Sequence, residues 1–261
     1  MEIVEVGGLR VGYERAGDGP PLVLLHGYVG DGPTTWRRQL DALADDFTVV
    51  AWDAPGAGRS ADPPETFGIA GYADCLAGFI AELGLDRPHV AGLSFGGILA
   101  VELSRRHPSI ADTLILVSAY AGWAGSLPAD VTEQRLRQAF VLADLSPDEF
   151  VAALLPTMFS EGTPRETLDE FAASMRDFHP IGFRAMARAS AEDLRDALPH
   201  VNLPTLLVYG DNDVRAPLTV AEQLHAAITG SRLVLLPNAG HLCHVEAANE
   251  FNEAVRRFLD E

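Results

Sequence analysis

Lysine is absent: every one of the 19 basic residues in this 261-residue chain is arginine, against 37 Asp and Glu, for a formal charge of −18. Without lysine there is no Schiff-base residue for pyridoxal-phosphate or aldolase chemistry, no lysine nucleophile or base, and no G-x-x-x-x-G-K-[ST] phosphate loop. Basic clusters are missing too, which argues against nucleic acid or an anionic membrane surface as partner. Cysteine is scarce. Cys75 and Cys243 are too few for a disulfide framework and read as free buried thiols. No stretch approaches the roughly 18 apolar residues of a membrane helix, and the opening MEIVEVGGLR carries two glutamates, unlike a signal peptide. The expectation is a soluble cytoplasmic protein, monomer or homodimer, with a small molecule as its partner.

The 48% hydrophobic content supplies a proper core, and its patterning is regular. Ile3–Val6 and Leu9–Tyr13, around Gly7-Gly8, read as a hairpin. Continuous apolar runs at Leu22–Leu25, Thr48–Trp52, His89–Leu93 and Thr113–Ser118 read as strands buried on both faces. Helical patterns over Trp36–Leu43, Ile69–Leu83 and Gly96–His107 alternate with them. This rhythm predicts an α/β fold with right-handed crossovers and a mostly parallel sheet. It stops near Gly122. From Trp123 to about Ser190 there are only helical patterns, broken by Pro128, Pro147, Pro156, Pro164 and Pro180. The α/β rhythm then resumes with a strand at Thr205–Tyr209, a helix at Leu218–Ile228, a strand at Arg232–Leu236 and a helix at Val245–Leu259. The expected organisation is a core of residues 1–121 and 191–261 with a helical insertion over 122–190.

Gly92-Leu93-Ser94-Phe95-Gly96-Gly97 joins a predicted strand to a predicted helix, which is the setting of a G-x-S-x-G nucleophile elbow. A serine at so sharp a turn is exposed at the positive end of a helix, and its neighbours must be small. Serine is a weak nucleophile unless a base takes its proton and a carboxylate orients that base. The required order, Ser then Asp or Glu then His, is met after the two later strands. Asp213 follows the first of them within Gly210-Asp211-Asn212-Asp213, and His241 follows the second within Asn238-Ala239-Gly240-His241. Asp211 is the rival acid and His244 the rival base. His241-Leu242-Cys243-His244 also admits a metal reading, although a zinc site needs a further separated ligand pair. Oxyanion donors are expected from the backbone N–H of Phe95 and of Tyr28, the latter in His26-Gly27-Tyr28, where Gly27 would let the backbone approach closely. His26 itself reads as a brace for that loop.

These motifs make the whole chain resemble the α/β-hydrolase fold superfamily. The resemblance rests on HGYVGDGPTTW (His26–Trp36), DAPGAGRS (Asp53–Ser60), GLSFGG (Gly92–Gly97), GDNDVRAP (Gly210–Pro217) and AGHLCHVE (Ala239–Glu246). It implies an eight-stranded, mostly parallel sheet, Asp213 as acid and His241 as base, a structural role for Asp53, Gly58 and Ser60, and a helical cap over the pocket. Within the superfamily the chain looks most like serine esterases and 3-oxoadipate enol-lactonase-type hydrolases, with cofactor-free haloperoxidase-like esterases nearby. Phe95 departs from the methionine often found there in the lactonases.

The reading is therefore a serine hydrolase of a small ester or lactone, needing no metal or organic cofactor. Carbon–carbon hydrolysis of a vinylogous diketone (a meta-cleavage product), peracid formation, and a ligand-binding receptor on the same fold stay open. Trp123, Met158, Phe159, Phe183 and Met186 are candidates for an apolar substrate pocket. Arg184 and Arg188, four residues apart on one helix face, are candidates for a substrate carboxylate or for a solvated face.

Overall fold

The computed structural model describes residues 2–64 and 66–260. Eight strands form one sheet: β1 (Glu2–Val6), β2 (Leu9–Ala16), β3 (Pro21–Leu25), β4 (Thr48–Trp52), β5 (His89–Leu93), β6 (Thr113–Val117), β7 (Thr205–Gly210) and β8 (Arg232–Leu236). Their spatial order is β1-β2-β4-β3-β5-β6-β7-β8. β1 and β2 pair antiparallel, as does β2 with β4, and every later pairing is parallel. The central strands β4, β6 and β7 are buried at every position because helices cover both faces, which is why their sequences are unbroken apolar runs. Parallel pairing has a further consequence. The loops leaving β3, β4, β5, β6, β7 and β8 all emerge at one edge of the sheet, where chemistry can be assembled from distant parts of the chain.

The helices of the core are α1 (Gly32–Leu43), α2 (Gly68–Glu82), α3 (Phe95–Arg106), α9 (Leu218–Ala227), α10 (Cys243–Glu246) and α11 (Ala248–Leu259). Between β6 and β7 lie α4 (Trp123–Ser126), α5 (Ala129–Leu142), α6 (Pro147–Leu154), α7 (Arg165–Arg176) and α8 (Pro180–Ser190). The prolines there do more than break helices. Pro147 and Pro180 occupy first-turn positions, and Pro128 and Pro164 are N-caps, where a missing N–H costs nothing. The two ends of this segment meet: Leu194 N–H donates to the Ala121 carbonyl at 2.8 Å.

Two helices differ from the sequence-based expectation by more than one residue, and β2 runs on to Ala16 instead of ending at Tyr13. α1 starts at Gly32, four residues before Trp36, because Asp31 caps it by accepting from Thr34 N–H at 2.7 Å and Pro33 preorganises its first turn. The expected helix over Val245–Leu259 is two helices, since Ala247 has φ −121° and ends α10 before α11 begins. Among the described residues no helix is long and apolar enough to cross a membrane.

The helical segment docks on the core by backbone contact. Gly182, in the first turn of α8, abuts Gly56 in the turn after β4. A Cβ on Gly182 would lie 2.0 Å from the Gly56 carbonyl oxygen, so neither position has room for a side chain. The turn that receives α8 is held by its own polar groups. Asp53 accepts from Gly32 N–H at 2.9 Å and from Arg59 N–H at 3.0 Å, and Ser60 Oγ donates to the Asp53 carbonyl at 2.6 Å. Asp53 and Ser60 thus act as braces within the backbone of this edge.

Candidate active site

Ser94 stands between β5 and α3 with φ +52° and ψ −108°, a conformation that L-residues avoid at a cost of about 1–3 kcal/mol. The turn is tight enough that a Cβ on Gly92 would lie 2.2 Å from the Gly96 carbonyl oxygen, and one on Gly96 would lie 2.4 Å from that of Leu25. Glycine is therefore required at both positions by backbone-to-backbone approach. The result places the Ser94 side chain at the N-terminus of α3, at the strand-end edge of the sheet.

Asp213 and His241 meet at that edge. Asp213 Oδ2 accepts from His241 Nδ1 at 2.9 Å, and both side chains are buried. The other carboxylate oxygen, Oδ1, accepts from the N–H groups of Arg215 at 2.8 Å and Ala216 at 2.9 Å. Burial alone would raise the Asp213 pKa. The His241 charge, its hydrogen bond and the Ala216 N–H outweigh that and hold the carboxyl below its ordinary value. The Ser118 hydroxyl lies beside the same carboxylate, short of good hydrogen-bond geometry. An ionised Asp213 can only accept, so Nδ1 of His241 is the donor, and in the neutral ring that tautomer has its lone pair on Nε2. Asp211, by contrast, is exposed, two residues from the carboxylate that reaches the histidine.

His244 is removed from this chemistry by packing. Its ring lies 4.3 Å from that of Trp36 between centroids, and Nε2 donates to the Thr35 carbonyl at 3.0 Å. Burial pushes its pKa from 6.5 down to about 3. Between those values the unfolded chain binds a proton that the folded chain refuses, so stability falls as pH drops through that window. His244→Gln is therefore expected to flatten the dependence of unfolding free energy on pH by one proton, or about 2 kcal/mol between pH 6.5 and 5. Urea unfolding of both proteins at several pH values measures it, and equal slopes would refute the assignment.

The loop after β3 reaches the nucleophile. A Cβ on Gly27 would lie 3.8 Å from Ser94 Cβ and 3.6 Å from Leu93 Cδ2, so this backbone runs alongside Ser94. Those are ordinary contact distances. The backbone does approach Ser94 here, with room left for a methyl group at position 27. His26 fixes the loop, as Nε2 accepts from Ala54 N–H at 2.9 Å and Nδ1 donates to the Gly27 carbonyl at 2.5 Å. Phe95, as the first residue of α3, has a backbone N–H with no carbonyl four residues back to satisfy it.

The five candidate pocket residues divide. Phe183 stacks on Tyr28 at 5.1 Å and Trp123 meets the same ring edge-on at 5.6 Å, so both collect over the loop beside Ser94. The Met158 carbonyl accepts from Leu242 N–H at 3.2 Å, next to His241. The Phe159 ring packs on Phe171 of α7 at 5.1 Å, and Met186 is buried within α8. Of the two arginines, Arg184 is spent in an ion pair with Asp144, and Arg188 lies 5.0 Å over the Phe140 ring.

Two contributors escaped the sequence reading. Glu246 clamps the helical segment to the histidine loop: Oε1 accepts from Ser160 N–H at 2.7 Å and Thr163 Oγ1 at 2.7 Å, and Oε2 from Gly240 N–H at 2.5 Å. Arg215 donates from Nη2 to the Tyr28 hydroxyl and from Nη1 to the Thr157 hydroxyl, each at 2.8 Å. Only the spacing of two residues from Asp213 hinted at the arginine, and nothing local marked the glutamate. Among the described residues no group of three or more His, Cys, Asp or Glu could hold a metal ion. Burial pushes the Cys243 thiol up to about 12, leaving it inert.

An eight-stranded, mostly parallel sheet with a strained serine between a strand and a helix, and a buried Asp–His pair on loops of the same edge, defines an α/β hydrolase. The chain belongs to the alpha/beta hydrolase fold family, whose sequence profile matches residues 20–248. It is similar to the serine hydrolase BPHL of Mus musculus, with 29% identity over 262 residues covering 98% of this chain and 85% of that protein. Among solved structures it is similar to an esterase from Thermogutta terrifontis with malate bound, at TM-score 0.91 and 28% identity, covering 100% of this chain and 98% of that one. The enol-lactonase from Burkholderia xenovorans superposes at TM-score 0.90 and 26% identity, covering 100% of both chains. The protein is an α/β-hydrolase enzyme.

Proposed function

We propose that the protein is a serine hydrolase that cleaves an ester or lactone of a small molecule through Ser94, His241 and Asp213. The observation that carries this reading is the buried 2.9 Å contact between Asp213 and His241 on the sheet edge that also bears the strained Ser94. Ser94 Oγ attacks the substrate carbonyl while the free Nε2 of His241 takes its proton, and Asp213 stabilises the imidazolium that forms. The N–H groups of Phe95 and Tyr28 bind the developing oxyanion. His241 returns the proton to the leaving oxygen and then activates water to release the acyl group. Water is the only co-reactant, so the cycle balances without a metal or an organic cofactor. The segment over residues 122–190 acts as a cap on the core formed by 1–121 and 191–261, with Trp123 and Phe183 presenting an apolar wall beside Tyr28. Met158, Phe159 and Met186 complete the cap's contribution to the pocket or its packing.

A fluorophosphonate probe tests the nucleophile, because it labels only an activated serine. Peptide mapping is expected to find it on Ser94, and a label at any other residue rejects the mechanism. A panel of 4-nitrophenyl esters, lactones and a meta-cleavage diketone defines the bond cleaved. Preferential turnover of the diketone would replace ester or lactone hydrolysis by carbon–carbon hydrolysis.

A further inference from the structure

His241 is bracketed by the helical segment on both sides. Its C-terminal neighbour, Leu242, donates its N–H to the Met158 carbonyl at 3.2 Å. Its N-terminal neighbour, Gly240, donates its N–H to Glu246 Oε2 at 2.5 Å. The other oxygen of that carboxylate, Oε1, accepts from Ser160 N–H at 2.7 Å, Ser160 Oγ at 2.6 Å and Thr163 Oγ1 at 2.7 Å. The approach is close: a Cβ on Gly240 would lie 2.9 Å from the Ser160 nitrogen and 3.1 Å from Glu246 Oε2. One residue further back, the Ala239 carbonyl accepts from Asn212 N–H at 3.0 Å, which ties this loop to the one that carries Asp213. The backbone around the base is thus held by the acid loop and by residues 158–163 of the helical segment.

Glu246 divides its two oxygens between these partners. Oε1 serves the helical segment, Oε2 serves the histidine loop, and all four donors are neutral. A half-buried carboxylate accepts such bonds more strongly than a neutral oxygen would, so the junction is firm while every donor is in place. With the segment docked, Ser94 and His241 are only 5% and 3% exposed, and a substrate can enter only when part of this covering moves. A movement that carries residues 158–163 away removes three of the four donors to Glu246 and, with Met158, the bond to Leu242. The histidine loop then loses its support on both sides of the base.

We propose that Glu246 is a positioning residue for the general base: it makes the placement of His241 depend on the docking of residues 158–163, so that the base is in register only when the helical segment is closed. This rests on the serine-hydrolase reading of the site and adds to it a residue and a conformational requirement. Glu246 acts through the Gly240 N–H, one peptide from His241. In the closed state Nε2 is aimed to take the Ser94 proton. In the open state the serine keeps its proton, and water entering the site meets an unactivated hydroxyl.

Two substitutions cut the junction from opposite sides. The amide of Glu246→Gln has a single oxygen; turned toward the three donors of the segment, it sets its NH₂ against the Gly240 N–H, donor against donor. Thr163→Val removes one donor on the segment side and leaves Gly240 bonded. With 4-nitrophenyl butyrate, Glu246→Gln is expected to lower kcat by about 10- to 100-fold and Thr163→Val by less, with KM nearly unchanged in both. The double variant is expected to lose little more than Glu246→Gln alone, because both break one connection. In a His241→Ala background Glu246→Gln is expected to cost no further residual turnover. Unchanged kcat in Glu246→Gln overturns the proposal. Multiplied losses in the double variant, a loss carried by KM, or an equal loss in the His241→Ala background would make Glu246 a general brace of the fold and overturn it too. The downfield proton resonance of His241 Nδ1–H reads the same geometry without turnover. It is expected to be sharp in wild type and broadened by solvent exchange in both variants; equal line widths in all three overturn the proposal. If Glu246→Gln does not fold, Thr163→Val decides by the same two readings. Wild type that hydrolyses no ester, with the resonance behaving as expected, would count against the serine-hydrolase reading and leave the positioning of His241 standing.

Discussion

Ser94→Ala is expected to lower kcat/KM for any substrate of this enzyme by about 10⁵-fold, to within the residual rate that oxyanion donors and binding supply on their own. The substitution removes one oxygen and nothing else that holds the elbow. The turn is maintained by the Ser94 N–H bonding to the Val117 carbonyl at 2.8 Å and by the Ser94 carbonyl accepting from Gly97 and Ile98 N–H, all of which alanine retains. Alanine also inherits the positive φ at similar cost, so unfolding curves of variant and wild type should nearly coincide. A fold-preserving variant with wild-type turnover would refute the nucleophile directly. Loss of activity together with loss of cooperative unfolding would mean that the serine is structural.

Asp213→Asn is expected to reduce kcat about 10⁴-fold, whereas Asp211→Asn should change it by less than about threefold. The reason lies in the tautomer. A carboxylate at 213 accepts from His241 Nδ1 and leaves Nε2 free for the Ser94 proton. An amide there can turn its NH₂ toward Nδ1 and stabilise the opposite tautomer, with the proton on Nε2, where it blocks base catalysis. The amide oxygen can still accept from the N–H groups of Arg215 and Ala216, so the loop stays in place. The Asp211 side chain faces solvent, and the residue's contact with β8, from its N–H to the Leu236 carbonyl, is made by backbone that asparagine keeps. Steady-state kinetics on the two purified variants decide the matter, and a larger loss at position 211 would reverse the assignment.

The parts of this molecule that could be read from the chain were those whose information is local. Runs such as Leu22–Leu25 and Thr205–Tyr209 announce buried parallel strands because helices on both faces leave no polar side for them to show. Gly92 announces the elbow because the clash that excludes a Cβ there is with backbone only four or five residues away, whereas Gly96 is kept small by the Leu25 carbonyl on the adjoining strand. Ser94, Asp213 and His241 were legible as candidates since each ends a strand, and parallel strands deliver their ends to one edge. The start of α1 and the split before α11 were missed for the same kind of reason in reverse. Asp31 acts through a cap that precedes the apolar pattern, and Ala247 carries no mark of its non-helical backbone.

Choices between chemically equivalent candidates were made only in three dimensions. Asp211 and Asp213 are two residues apart with the same side chain, and His241 and His244 three apart. What separates them is whether a carboxylate reaches Nδ1 or an indole and a carbonyl enclose the ring. The arginines make the same point. Their number, and the absence of lysine, belong to the sequence and confine any anion recognition to guanidinium groups or backbone dipoles. That Arg184 is consumed by Asp144 while Arg215 is left with hydroxyls depends on contacts between residues 40 and 187 positions apart, distances over which sequence spacing carries no signal. Composition thus determined which chemistries the chain could attempt, and tertiary packing, by bringing some of several equivalent side chains together and burying or pairing the others, decided which of them share an edge of the sheet.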